Sequence, residues 1–148
     1  MTVVDVWGGW ADEARTRPWQ ADTMVSLYSV GKAIVATLAL RLVDEGRLDL
    51  DAPVADVWPE FAAGGKADIT VAEALSHRAR VPGIRTPLVD DDLADWSRMT
   101  EALASTPAWA PAHCYHTNTY GHLVGEIVRR VTGELPGAVL RRLVDDLG

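Results

Sequence analysis

The chain has 148 residues, a length typical of one domain, and its formal net charge is −7. This acidic balance opposes contact with nucleic-acid phosphates or an anionic membrane surface, so neither is expected as a partner. Hydrophobic residues make up 48% of the chain and charged residues 24%, which is typical of a globular protein. Because Cys114 is the single cysteine, an internal disulfide and a thiolate metal cluster are excluded. No cofactor is expected.

Residues 1–5 lack the basic stretch and the long apolar run of a signal peptide, which predicts a cytoplasmic location. The longest apolar stretch, residues 33–40, is too short to span a bilayer. His113, His116 and His122 are close in sequence, but no second ligand cluster accompanies them, so no metal site is expected.

The N-terminal segment has the composition of a β-strand. Three valines and a tryptophan between positions 3 and 7 favour a strand, and Gly8-Gly9 breaks it. Residues 10–12 either resume the strand or begin a loop. We therefore expect one or two strands within a segment of about residues 2–12.

Helical spacing dominates the rest of the chain. Apolar residues recur every three or four positions after Ser29, and Gly46 is a natural C-cap, so an active-site helix is expected over about residues 29–45. A helical lobe is expected over about residues 54–146. One predicted helix begins at the Thr70–Glu73 capping box and ends near His77, and another begins at the acidic residues 90–92. Two more helices are expected over about residues 118–131, closed by Gly133, and over about residues 135–146.

Ser29 and Lys32 belong to the sequence Ser-Val-Gly-Lys at the start of the first predicted helix. Residues three apart on a helix share a face, so the two side chains can touch. A serine hydroxyl needs an adjacent base to act as a nucleophile, and a lysine can be that base only when neutral. Burial and the positive end of the helix dipole favour the neutral form, and N–H groups at the helix start can stabilise an oxyanion.

The same four residues also fit a serine N-cap followed by a solvated lysine. Two features favour the catalytic interpretation. The chain has only two lysines, Lys32 and Lys66, against twelve arginines, so its basic surface positions are filled by arginine. Lys32 is also flanked by Ala33 and Ile34 at the mouth of the most apolar predicted helix.

Further landmarks follow a fixed order along the chain. They are Val4–Gly9, the Ser-x-x-Lys motif at Ser29–Lys32, Leu42–Val54, Ile69–His77 with Val81-Pro82-Gly83, and Tyr115 with Thr119-Tyr120-Gly121 and Gly125. In content and order they resemble the beta-lactamase-related serine hydrolases, a family that includes class C beta-lactamases and penicillin-binding-protein-like esterases.

The resemblance implies an α+β fold of the beta-lactamase/transpeptidase type, with Ser29 as nucleophile, Lys32 as its base and Tyr115 as a proton relay. The substrate would be a small-molecule ester or amide, and the reaction would pass through an acyl-enzyme formed on Ser29. Nothing after Gly133 matches the family's third motif, so residues 1–148 are expected to form one partial domain, mostly helical, with an incomplete sheet. The face where the missing sheet would pack is expected to favour self-association.

Departures from the family pattern bear on the substrate. The family's asparagine, two residues after the tyrosine, helps bind the substrate amide, whereas Thr117 stands here and Asn118 comes one residue late. This favours a carboxylesterase-like activity over beta-lactam hydrolysis. Arg80 stands where a glycine is common. His77 is expected to be structural, and Cys114 to be a small neighbour of the site.

Other interpretations stay open. The same residues fit a beta-lactamase, a D-Ala-D-Ala peptidase or an acyltransferase. The chain would be a non-catalytic, truncated remnant if it keeps the motif without the rest of the site. In the remaining alternative it is a helical interaction module with a chance Ser-x-x-Lys match.

Overall fold

A computed structural model describes residues 2–110 and 113–147 of the chain. Within these ranges the α-helices are α1 (Gly31–Asp44), α2 (Val71–Leu75), α3 (Trp96–Ser105), α4 (Tyr120–Thr132) and α5 (Pro136–Leu147). Short 3₁₀ turns occur at Tyr28–Val30, Val54–Asp56, Pro59–Ala62 and Asp90–Ala94. The expectation of a mostly helical chain is confirmed.

Helices α1 and α4 lie side by side in the core. Each presents one apolar face because its apolar residues recur at helical spacing. The buried apolar positions of the pair are Val35, Leu38, Ala39, Leu42, Leu123, Val124, Ile127 and Val128. Lys32 binds the carbonyl of Thr117, just before α4, and Arg47 binds that of Val131, near its end. The two helices therefore run parallel, and the start of α1 faces the loop that precedes α4.

The remaining elements cover this pair. Trp58 and Phe61 are buried together, with ring centroids 5.1 Å apart. Leu103 of α3 joins the same core, and α5 lays the partly buried Val139 and Leu143 against it. Among the described residues no helix has the length and apolarity to cross a bilayer.

Lys66 is a fully buried lysine. Its ammonium donates to the carbonyl oxygens of Ala63, Ala104 and Thr106 at 2.5, 3.0 and 2.5 Å. The last two carbonyls lie at the end of α3, where carbonyl groups lack helical partners. Burial lowers the pKa of Lys66 from 10.5 to about 8. This lysine thus has a structural role at the end of a helix rather than a place on the surface.

The capping box predicted at Thr70 is confirmed. The Thr70 hydroxyl accepts from the N–H of Glu73 at 3.2 Å, and the Glu73 carboxylate accepts from the N–H of Thr70 at 3.1 Å. The helix is shorter than expected, because α2 ends at Leu75 and His77 has a left-handed backbone with φ 62°.

The prediction of an N-terminal strand is wrong. Residues 2–12 form no strand, and only an isolated antiparallel bridge joins Trp10 to Pro18. Val3, Val4 and Val6 are 81, 75 and 83% exposed. The composition favours extended backbone, but a strand is stable only when a neighbouring strand accepts and donates its hydrogen bonds. No β-sheet forms elsewhere in residues 2–110 and 113–147 to provide one.

Helix boundaries differ from the predictions for local reasons. Ser29 lies in the 3₁₀ turn, so the α-helical part of the predicted 29–45 helix begins at Gly31. The acidic start at residues 90–92 forms a separate 3₁₀ turn, because Asp95 caps α3 by accepting from the N–H of Arg98 at 2.9 Å. Gly133 closes α4 in a left-handed conformation with φ 80°, as expected.

Candidate active site

The structure brings Ser29 and Lys32 into contact. The Lys32 ammonium donates to Ser29 Oγ at 3.1 Å and to the carbonyl oxygen of Thr117 at 2.8 Å. Ser29 is exposed and Lys32 is half-buried at the start of α1. The candidate nucleophile thus faces solvent, while the ammonium of the candidate base has two hydrogen-bond acceptors.

Tyr115 lies at the same place. The Lys32 ammonium is 5.0 Å from the centroid of its ring, over the ring face. Interaction with the Ser29 hydroxyl is the main cause that lowers the pKa of Tyr115, and the Lys32 ammonium lowers it further. All three predicted catalytic side chains therefore meet, although a loop carries Tyr115 in from a distant part of the sequence.

Strained backbone surrounds this group. Tyr28, His77 and Arg80 are non-glycine residues with φ values of 44°, 62° and 59°. Such conformations are uncommon for bulky side chains and often mark functional sites. Tyr28 immediately precedes Ser29, so the strain falls on the turn that presents the candidate nucleophile.

Two histidines hold the loop that carries Tyr115. The N–H of His116 donates to His77 Nδ1 at 3.1 Å, and His116 Nε2 accepts from the N–H of Val81 at 3.1 Å. Nδ1 of His116 lies 2.6 Å from the carbonyl oxygen of Cys114, so this nitrogen carries the proton of the neutral ring. Thr119 adds a hydrogen bond from its hydroxyl to the Val81 carbonyl at 2.7 Å.

The sequence predicts a structural role for His77 and none for His116. Their pairing across 39 residues depends on how α2 and the loop before α4 meet. The only sequence signal for it was the position of His77 within the Ile69–His77 landmark.

The two departures from the family pattern have different structural consequences. Thr117 offers its backbone carbonyl to Lys32, while its side chain is exposed. Arg80 adopts the left-handed conformation for which glycine is best suited. Arg80 is also held by Trp109, through a bond from Trp109 N to its carbonyl at 2.7 Å and from its Nε to Trp109 O at 2.8 Å.

The other histidines and the cysteine show no shared ligand geometry. His113 and Cys114 are exposed, and His122 packs against Trp96 at 5.3 Å. In the part of the chain that the structure describes, no three His, Cys, Asp or Glu side chains are close enough together to hold a metal ion.

Comparison with known proteins identifies the relatives of this arrangement. The Beta-lactamase family model matches residues 1–147. Esterase/beta-lactamase LipL of Mycobacterium tuberculosis is 42% identical over 137 residues, which cover 89% of this chain and 31% of that protein. Esterase EstB of Burkholderia gladioli is 33% identical over 157 residues, which cover 92% of this chain and 39% of that protein.

Solved structures agree with the sequence comparison. The crystal structure of a family VIII carboxylesterase superposes with a TM-score of 0.86 at 46% identity, covering 90% of this chain and 37% of that one. The chain therefore spans about a third of the length of these relatives. The match over residues 1–147 and these similarities show that the chain belongs to the beta-lactamase family.

Proposed function

We propose that the chain carries the nucleophile, base and proton relay of a serine hydrolase that acts on small-molecule esters. The observation that carries the proposal is the contact of Lys32 with Ser29 Oγ at 3.1 Å, with the same ammonium 5.0 Å from the centroid of the Tyr115 ring. The names of the relatives support an ester substrate, because LipL and EstB are both named as esterases.

In this proposal Ser29 Oγ attacks the ester carbonyl while the Lys32 amine takes the hydroxyl proton. The Thr117 carbonyl holds Lys32 in place for that step. Tyr115 then gives its proton to the departing alkoxide and receives the serine proton from Lys32, a role that suits a phenol whose pKa is lowered by Ser29 and Lys32. Water attacks the acyl-Ser29 ester, releases the acid and restores the serine.

Thr117 favours an ester over a beta-lactam as the substrate. An asparagine at this position would add a carboxamide able to bind a substrate amide, whereas threonine has only a hydroxyl. Beta-lactamase, D-Ala-D-Ala peptidase and acyltransferase activities use the same acyl-enzyme and differ in the acyl donor or acceptor. They are alternatives to be separated by assay.

The test is labelling with a fluorophosphonate probe, which reacts with activated serines. Wild type and the control S26A, which alters an exposed serine in the same segment, should label, whereas S29A should not. K32R should also fail, because a guanidinium stays protonated and cannot act as the base. A folded wild-type chain that remains unlabelled would overturn the proposal and favour a non-catalytic remnant or an interaction module.

Substrate preference is measured next with chromogenic substrates. We expect turnover of a short-chain ester to exceed that of a cephalosporin. The reverse order would assign a beta-lactamase instead. Adding an alcohol acceptor and measuring transesterification would reveal an acyltransferase.

We also propose that the chain self-associates through its exposed N-terminal face. Val3, Val6, Met24 and Tyr28 of the N-terminal segment are exposed apolar side chains, and exposed apolar surface favours association. Sedimentation velocity over a range of concentrations tests this, with a V3S/V6S variant expected to shift toward monomer. The cytoplasmic location stays a prediction of the sequence.

A further inference from the structure

The ring of His77 packs against two tyrosines. Its centroid is 4.6 Å from that of Tyr115 and 4.6 Å from that of Tyr120. Tyr120 is itself anchored, because it is buried and its hydroxyl donates to the Leu75 carbonyl at 3.0 Å. Tyr115 is 52% exposed, and the His77 imidazole packs against its ring.

The hydrogen bond to His77 defines its protonation state. Nδ1 accepts the N–H of His116 at 3.1 Å, so the proton of the neutral ring is on Nε2. Protonation of Nδ1 would break this bond, which also ties down the loop that carries Tyr115. It would in addition put a positive charge on the imidazole whose centroid is 4.6 Å from that of the Tyr115 ring.

We propose that His77 is the positioning residue for Tyr115: as a neutral imidazole it holds the phenol against Ser29 and Lys32. The inference rests on the proposed function for the role of Tyr115, but the contact itself can be tested without turnover. The groups that face His77 are Lys32 from α1, Tyr115 and His116 from the loop, and Tyr120 from α4.

The electrostatics agree with this geometry. Burial is the main cause that lowers the pKa of His77 below its ordinary value of 6.5, and the Lys32 charge lowers it further. The imidazole is therefore neutral at neutral pH, and the Tyr115 loop is expected to loosen only in acid.

The first experiment follows the tyrosines by NMR after ¹³Cζ labelling. The chain has only three tyrosines, so Y28F and Y115F assign the signals. In wild type the Tyr115 signal should show a step in acid, below pH 6.5, that the Tyr28 signal lacks. H77N should remove that step and shift the Tyr115 signal, because it deletes the ring and the titration.

H77N is a suitable variant because asparagine tolerates positive φ and its side-chain oxygen can still accept the His116 N–H. H122N is the matched control, since His122 also packs on an aromatic ring but faces Trp96. It should leave the Tyr115 signal unchanged. A Tyr115 signal and titration that are the same in wild type and H77N would overturn the inference.

The second experiment is a double-mutant cycle on the rate of fluorophosphonate labelling. H77N should slow labelling about tenfold in wild type, since small misplacements of a catalytic group are costly. In the Y115F background it should slow labelling by no more than about twofold, because the two residues act together. Equal losses in both backgrounds would overturn the inference, whereas an unlabelled wild type would refute the proposed function and leave the NMR result to decide the role of His77.

Discussion

Alanine substitutions at Gly125 and Gly121 are expected to change the free energy of unfolding in opposite directions. Both glycines lie within α4, where alanine is favoured over glycine by about 1 kcal/mol. A Cβ at Gly121 would meet no atom within 4 Å. G121A should therefore stabilise the chain by about 0.5–1 kcal/mol.

A Cβ at Gly125 would lie 2.6 Å from Cη2 of Trp96 and 2.9 Å from Cγ of Pro136. Trp96 cannot move away freely, because its Nε1 donates to the buried carboxylate of Glu126 at 2.7 Å. Overpacking of this kind costs about 1–3 kcal/mol. After the helix-propensity gain, G125A should destabilise the chain by up to about 2 kcal/mol.

Urea denaturation followed by circular dichroism measures both variants. The denaturation midpoint should rise for G121A and fall for G125A, with the slope unchanged in each case. If G125A proves as stable as G121A, the close approach of α4 to Trp96 is not a constraint and the packing argument is refuted.

Three further predictions concern other sites. Burial lowers the pKa of Lys66 from 10.5 to about 8, so above pH 8 the folded chain loses a proton that the unfolded chain still binds. Unfolding therefore takes up a proton, and the free energy of unfolding of wild type relative to K66M should rise between pH 8 and 10. The rise is at most about 3 kcal/mol, since the carbonyl partners of the ammonium offset part of the burial, and parallel pH profiles would contradict it. R80G should be more stable than R80A by about 1 kcal/mol in urea denaturation, because both lose the side-chain bond from Nε to the Trp109 carbonyl but only glycine relieves the positive φ. T117N should raise the ratio of cephalosporin to ester turnover, and an unchanged ratio would show that position 117 does not set the substrate preference.

The helices were readable from the sequence because their signals are local. Spacing of apolar residues, the Thr70–Glu73 capping box and the Gly133 C-cap all act over three or four residues, and each appears in the structure as expected. The pairing of Ser29 with Lys32 is of the same kind, since one helical turn separates them.

The predicted strand failed because its signal was local while its stability is not. Valines at positions 3, 4 and 6 favour extended backbone, but only a neighbouring strand can satisfy that backbone. The Asp90 prediction failed differently, because Asp95 offered a better cap for α3 than the acidic run before it.

The sequence by itself therefore determined the helical character of the chain, the caps at Thr70 and Gly133, and the Ser29–Lys32 pair. Only the tertiary structure decided the rest of the site. Thr117 reaches Lys32 across 85 residues, and His116 reaches His77 across 39. Such contacts depend on the parallel packing of α1 against α4, which buries two apolar faces together. Which faces pair, and in which direction, cannot be predicted from any short stretch of sequence.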